Sequence, residues 1–433
     1  VKALGEIKVA AARVNREGGY LDNERAEAIV SAAKELVEGQ FADQFPLDMV
    51  QAGAGTPIHM NVNEVIANRA TELLGGKRGE YLVHPNDHVN MGQSSNNVIP
   101  TALRLVLIRL AGRLVSELTN LGEALLSKSS EFGGIVKVGR THYQDAVPVT
   151  LGQEFSAYAN LVEKIGKDLK NTTGKLGEVG LGGNAIGTGI NTSPGFRESL
   201  VAELARVAGE DLKPAENNIS MTQSMRSFLM LSGSMREAAT ELIKIVDDLT
   251  FMSSGPKAGV NEIDLPEVEP GSSIMPGKVN PSILEAVKMS LLQILGYDHT
   301  VSLASGEGHL ELNVMTPIIG KNMIESLNLF RSAVKSLRQK CVEGITANKD
   351  VIARQFDEST AVATALSPYI GYDRVAKLVK MSLEEDRNFK ELIRGRGWLT
   401  KDELDNLLAP ERLTSPRGID EQLKERVTKR LEK

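Results

Sequence analysis

The sequence predicts an all-α protein built on long helices, and three observations carry that reading. Apolar residues recur at steps of three and four over unusually long stretches. No segment alternates strand and helix as a doubly wound sheet requires. Aromatic residues make up only 4% of the 433-residue chain, beside abundant Leu, Ala, Glu and Lys. That composition favours helical packing over a β-sandwich.

Punctuation divides the chain into three parts. Residues 1–95 hold shorter helices and loops, among them the glycine-broken stretch QAGAGTP at 51–57. Residues 96–347 hold the long helices. Within 101–128, Leu107, Leu110, Leu114, Leu118, Leu121 and Leu125 form one apolar stripe. Phe228, Leu231, Met235, Ala238, Leu242, Ile245 and Leu249 form a second. Segments 152–176, 282–305 and 318–344 complete a five-helix bundle. At ~1.5 Å per residue, about 25 residues make a rod of roughly 40 Å. Further apolar residues lie off the main stripes, which predicts burial on more than one side and hence an oligomer. Residues 348–433 shift to short, charged, Pro-broken segments that predict a small C-terminal helical domain.

Composition excludes several classes. A net charge of −6 and a pI of about 5.7 leave no basic footprint for nucleic acid. The single Cys341 can form neither an intramolecular disulfide nor a cysteine zinc site, which suits a reducing cytoplasm. No apolar run reaches the ~18 residues of a membrane span, and no signal peptide is visible. The chain begins at Val1 and is helix-like almost at once, so an incomplete N-terminus is expected. Among the six His residues no metal site is expected. No cofactor is expected either. GLGGNA at 180–185 fits a dinucleotide fingerprint formally but follows no strand, and the 271–278 stretch has the wrong spacing for a phosphate-binding loop.

The chemistry concentrates in loops and at helix ends. The run GSSIMPGKVNP at 271–281 places two hydroxyls, an ammonium and a carboxamide in a stretch broken by two Gly and two Pro. It can be neither a helix interior nor a central strand. Its donors suit carboxylate oxygens, and a hydroxyl there could act as a base. HPNDHVN at 84–90 leads into QSSNN at 93–97 just before the first rod. Ser and Asn there can simply cap the helix, and a hydroxyl-rich first turn is equally an anion site. GRTH at 139–142 sets His142 in polar surroundings. Glu285 falls in the first turn of a rod, where it favours the helix dipole and could orient a histidine.

Taken in order, these segments resemble the fumarase/aspartase superfamily, and more narrowly its class II fumarase and aspartate ammonia-lyase branches. The resemblance runs from about residue 5 to the C-terminus. It rests on GAGT at 53–56, HPNDHVN, QSSN at 93–96, GRTH, QDAVP at 144–148, LGQEF at 151–155, IGTG at 186–189, GSSIMPGKVNP and ELNVM at 311–315. It implies a homotetramer with a twenty-helix core, five long helices from each subunit, and active sites shared by three subunits. Asp43 to Pro46, Ala54, Gly79 to Tyr81, Met91, Ala258 to Glu262 and Met315 resemble aspartases. Ser95, Gly183 and His84 resemble fumarases. The balance favours aspartase, with fumarase as the alternative. Three positions depart from the pattern: His59 and Asn97 stand where Asn and Asp are usual. Tyr81 replaces an Arg of the fumarases' second dicarboxylate site. By the same resemblance, the family's first segment is expected to be missing from this sequence.

By resemblance, Ser272 takes the Cβ proton of a C4 dicarboxylate as an alkoxide supported by N–H donors and Lys278. Thr56, Ser94, Ser95 and Ser273 would hold the carboxylate that gains charge. Thr141, Lys278 and Asn280 would hold the other. Asn96 and His142 would face the leaving group, with Glu285 paired to His142. Gly271 and Gly277 would let the loop fold over the substrate. The competing class is a helical oligomer that keeps the fold without activity, as in some lens crystallins of the wider superfamily. The intact Ser272, Lys278, Asn280 and His142 argue against it.

Overall fold

The computed structural model describes residues 1–432 and is helical along most of the chain. Three short helices open it: α1 (Lys2–Glu17), α2 (Asn23–Val37) and α3 (Thr56–Leu73). The Asp22 side chain caps α2 by accepting from the Arg25 amide. The five long helices fall where the apolar period puts them: α4 (Ser95–Glu131), α5 (Leu151–Gly174), α6 (Arg226–Met252), α7 (Ser282–Gly306) and α8 (Thr316–Lys340). Short helices follow, from Lys349–Glu358 to Glu421–Leu431.

The stripes are buried almost as read. All seven named residues of α6 are buried. In α4, Leu107, Leu114, Leu118, Leu121 and Leu125 are buried, while Leu110 is only partly so. Ala111 takes its place on the inner face. The helix also starts earlier than the Leu stripe suggests, with Pro100 inside it. Pro100 lies in the second turn, where it removes the bond its amide would make to the Asn96 carbonyl and crowds that carbonyl with its ring. At the other end, α8 stops at Lys340 and gives way to a tighter turn over Val342–Gly344.

The chain divides into two compact units. One comprises residues 1–119, 164–243 and 286–335; the other comprises 120–163, 244–285 and 336–433. Each boundary falls within a long helix, so all five helices contribute to both units. In the first unit, α1, α2 and α3 bury a core including Ile7, Ile29 and Ile66. In the second, the C-terminal helices close around Phe389, Leu392 and Leu404, with Trp398 half-buried against them. Cys341 is buried, and burial pushes its thiol up to about 12.

Three two-stranded ladders interrupt the helices. The longest is an antiparallel hairpin of β1 (Val136–Thr141) and β2 (Gln144–Thr150). Gly139 lies at its irregularity, where a Cβ would meet the Val147 carbonyl at 2.6 Å. Among the described residues, no helix is long and apolar enough to cross a membrane.

The α4 stripe yields a direct test. Leu121 is fully buried, so Leu121→Ala should lower unfolding free energy by about 2–5 kcal/mol in urea titration. A change within experimental error would show that the stripe carries no packing load.

Candidate active site

The glycine-broken run folds as a pinched loop ahead of α7. Gly271 packs so closely on the returning strand of chain that a Cβ would lie 1.7 Å from the Lys278 carbonyl oxygen. Asn280 closes the pinch by donating its Nδ2 to the Gly271 carbonyl at 2.5 Å. Gly277 turns the far side with φ +76°. Inside the loop, the Ser272 Oγ accepts from the Ile274 and Met275 amides at 3.2 and 3.0 Å. Two N–H donors on one hydroxyl oxygen favour negative charge there. Ser273 and Lys278 are exposed on this loop.

GRTH, expected in a loop or at a helix end, instead spans the end of β1 and the hairpin turn. Thr141 pairs with Gln144, so His142 and Tyr143 are the two-residue turn. Both have positive φ, +56° and +60°. Such turns normally use Asn and Gly, because a Cβ is disfavoured there. His142 is therefore held, exposed, in the left-handed region, which few residues other than glycine occupy. The hairpin is anchored by charge beneath it. Buried Glu262 pairs with Lys137 at 2.7 Å and Arg140 at 2.6 Å, and Lys137 also meets Glu154 at 2.9 Å. Arg140, His142 and Tyr143 line a cavity of about 390 Å³ with Tyr158, Lys244 and Asp248.

A second polar corner forms in the first unit. Gly53, Ala54 and Gly55 all have positive φ, and the chain then enters α3 at exposed Thr56. A Cβ on Gly55 would press on Ile99 at 3.0 Å. Ser94 turns its Oγ to the Asn96 amide at 3.3 Å, which caps the start of α4. Asn96 donates to the Ala185 carbonyl at 2.8 Å. The Ser95 Oγ instead meets the Nδ1 of fully buried His59 at 2.7 Å. The other ring nitrogen of His59 meets buried Lys8 at 2.7 Å. Lys8 was not singled out from the sequence; its signal was an ammonium on the apolar face of α1, between Ile7 and Ala11. Burial holds the Lys8 ammonium well below its usual range and lowers His59 to about 2.

Ser94, Ser95 and Asn96 are thus brought together by one helix start. Ser272, Ser273, Lys278 and Asn280 are brought together by the pinched loop, and Thr141 and His142 by the hairpin. Glu285 is exposed in the first turn of α7. Among the described residues it makes neither an ion pair nor a hydrogen bond with His142 within the chain.

Comparison with known proteins identifies the family. Residues 1–296 match the family described as Lyase, and residues 362–415 match the fumarase C C-terminus. The chain belongs to the fumarase/aspartase superfamily. It is 45% identical to an aspartate ammonia-lyase of Pseudomonas aeruginosa, covering 97% of this chain and 89% of that protein. It is equally 45% identical to a class II fumarate hydratase of Bradyrhizobium diazoefficiens, covering 96% and 88%. A fumarate lyase:delta crystallin from Brucella melitensis, bound to cobalt, superposes with a TM-score of 0.93 at 42% identity, covering 96% of this chain and 90% of that one. As a member of the fumarase/aspartase superfamily the chain is a lyase with the helical-bundle fold of its relatives. Within that superfamily frame the three polar segments are the candidate catalytic parts.

The buried His59 makes stability depend on pH in a defined direction. In the unfolded chain its ring takes a proton near 6.5, and in the folded protein only near about 2. Protonation therefore favours unfolding: stability present above 6.5 is lost at about 1.4 kcal/mol per pH unit below it. Between about pH 7.5 and pH 5.0, wild type should lose about 2 kcal/mol more than His59→Gln in urea titration. Equal losses would mean that the ring is not held neutral.

Proposed function

We propose that the chain converts L-aspartate to fumarate and ammonia. The carrying observation is the Ser272 hydroxyl, its oxygen already receiving two backbone N–H groups in a loop closed by Gly271 and Asn280. Aspartate ammonia-lyase is the most frequent name among the relatives, which supports the amine as leaving group.

In this reading Ser272, as alkoxide, takes a Cβ proton. The C–H electron pair moves into the adjacent carboxylate, which becomes doubly charged. Thr56, Ser94, Ser95 and Ser273 stabilise that charge by hydrogen bonding, and the interaction strengthens as the charge develops. The pair then returns to form the Cα–Cβ double bond while the Cα–N bond breaks with its electrons. An ammonium leaves as neutral ammonia and needs no added proton. A hydroxyl would need one, so in the hydratase alternative His142, oriented by Glu285, would donate. Thr141, Lys278 and Asn280 hold the second carboxylate, and Asn96 faces the departing group. The 45% identity to a class II fumarate hydratase and the fumarase-like Ser95, Gly183 and His84 support that alternative.

Assembly is part of the proposal. The candidate residues are divided between the two units, and we read the working site as shared by three subunits of a homotetramer, its core twenty helices. An exposed apolar stripe on α7 supports this: Met289, Leu292 and Leu303 are 65%, 51% and 61% exposed in the single chain. The same reading divides the chain into an N-terminal domain (1–95), the long-helix bundle (96–347) and a C-terminal domain (348–433), working in the cytoplasm on a small dicarboxylate.

Light scattering should give four times the 46.8 kDa chain mass; a monomer would refute the shared site. Fumarate absorbance, followed from L-aspartate and L-malate in parallel, should rise with aspartate alone. A rise only with malate would assign the hydratase reaction. Ser272→Ala should remove turnover while leaving succinate affinity within about three-fold. Substantial residual turnover would exclude Ser272 as the base.

A further inference from the structure

Behind Ser95 runs a buried polar chain whose direction can be worked out. Lys8 Nζ faces three groups: His59 Nε2 at 2.7 Å, Gln93 Oε1 at 2.8 Å and Asn90 Oδ1 at 3.1 Å. Both amides must present oxygen to the lysine, because their nitrogens are engaged elsewhere. Asn90 Nδ2 donates to the Gln93 carbonyl at 3.2 Å. Gln93 Nε2 donates to the Val89 and Met91 carbonyls at 3.1 and 3.3 Å. Three acceptors meet the three hydrogens of an ammonium. With Lys8 as an ammonium, His59 Nε2 is an acceptor and the neutral ring carries its proton on Nδ1. That proton is donated to the Ser95 Oγ. The hydroxyl, receiving from behind, must point its own hydrogen away from His59.

Helix capping does not explain this chain, since Ser94 rather than Ser95 serves the first amides of α4. Nor does charge balance within the protein explain it. Among the described residues no carboxylate pairs with Lys8, although it is fully buried. A desolvated cation without a counter-charge is costly unless an anion arrives.

We infer that His59 is a positioning residue: backed by Lys8, it fixes the Ser95 hydroxyl as a donor to the substrate carboxylate, whose charge balances Lys8. This rests on the reading of Ser95 as a carboxylate ligand. His59 does not touch the substrate; it decides which way Ser95 points. A neutral lysine would allow the reverse order, with Ser95 donating to His59 and meeting substrate only as an acceptor. A carboxylate cannot use an acceptor, so the two orders differ in affinity.

The test compares His59→Leu, His59→Gln, Ser95→Ala and the His59→Leu/Ser95→Ala double variant. Gln can still accept from Lys8 and donate to Ser95; Leu can do neither. The readouts are kcat and KM for fumarate formation, succinate affinity by calorimetry, and Tm. His59→Leu should lose about ten-fold or more in kcat/KM and weaken succinate by several-fold, the size expected for one hydrogen bond to a charged group. His59→Gln should recover most of both. The double variant should be no worse than Ser95→Ala, because His59 acts through that hydroxyl. Equal losses in Leu and Gln, or multiplying losses in the double variant, would overturn the relay.

If His59→Leu does not fold, Lys8→Met removes the cation from the same chain. Succinate should then bind more weakly, and unchanged affinity would overturn the proposal. If wild type forms fumarate from neither aspartate nor malate, the reaction assignment fails, and the succinate series still decides the relay. Wild type that does not bind succinate overturns Ser95 as a ligand and the relay with it.

Discussion

Burial of the apolar stripes on the long helices is the constraint on which the rest depends. Each fully buried Leu contributes roughly 1.5–3 kcal/mol. A stripe such as Leu107 to Leu125 therefore fixes the rotation of its rod about its own axis. Three of the candidate segments are attached to rod ends, while Thr56 opens the short α3. Ser94 to Asn96 open α4, the hairpin of Thr141 and His142 feeds α5, and the Ser272 loop feeds α7. A rod free to rotate would swing these groups by ångströms, and a displacement of one ångström is costly in catalysis. The loops can afford non-regular backbone because the rods hold their anchors.

That irregularity is not spread evenly. Among other places, it occurs at Gly53 to Gly55, at His142 and Tyr143, and at the Gly271 pinch. The hairpin turn is the clearest case, since two side-chain-bearing residues occupy positions suited to Asn and Gly. Beneath it, Glu262 with Lys137 and Arg140 supplies a buried charge network of high directional demand. Such networks hold geometry better than they add stability. Strain above and fixed charge below are consistent with a turn kept for where it puts His142.

Much of the fold was legible because helical burial repeats locally. The α6 stripe was read without error, since seven residues on one face leave little room for another phase. The start of α4 at Ser95 was legible from the Ser and Asn cluster at 93–97, although the apolar stripe itself begins only at Leu107. The β1–β2 hairpin was missed: its turn lacks the Asn-Gly signal, and Gly139 hides a bulge rather than a loop. Site residue types were legible from their clustering in broken stretches, but their mutual placement was not. Lys8 is the instructive omission. Its partners His59, Asn90 and Gln93 lie between 51 and 85 residues away. Its place on the apolar face of α1 sets it apart from a surface lysine, but nothing local names those partners.

The packing around Trp398 and Cys341 has a practical consequence. The chain has one Trp and one Cys, and both fall in the second unit. Indole emission and thiol labelling therefore both watch the second unit and say nothing directly of the corner that holds Ser95. A loosening of α1 that frees Lys8 would be silent in both signals. Tracking it requires a reporter introduced into the first unit, or amide exchange read along α1 and α3.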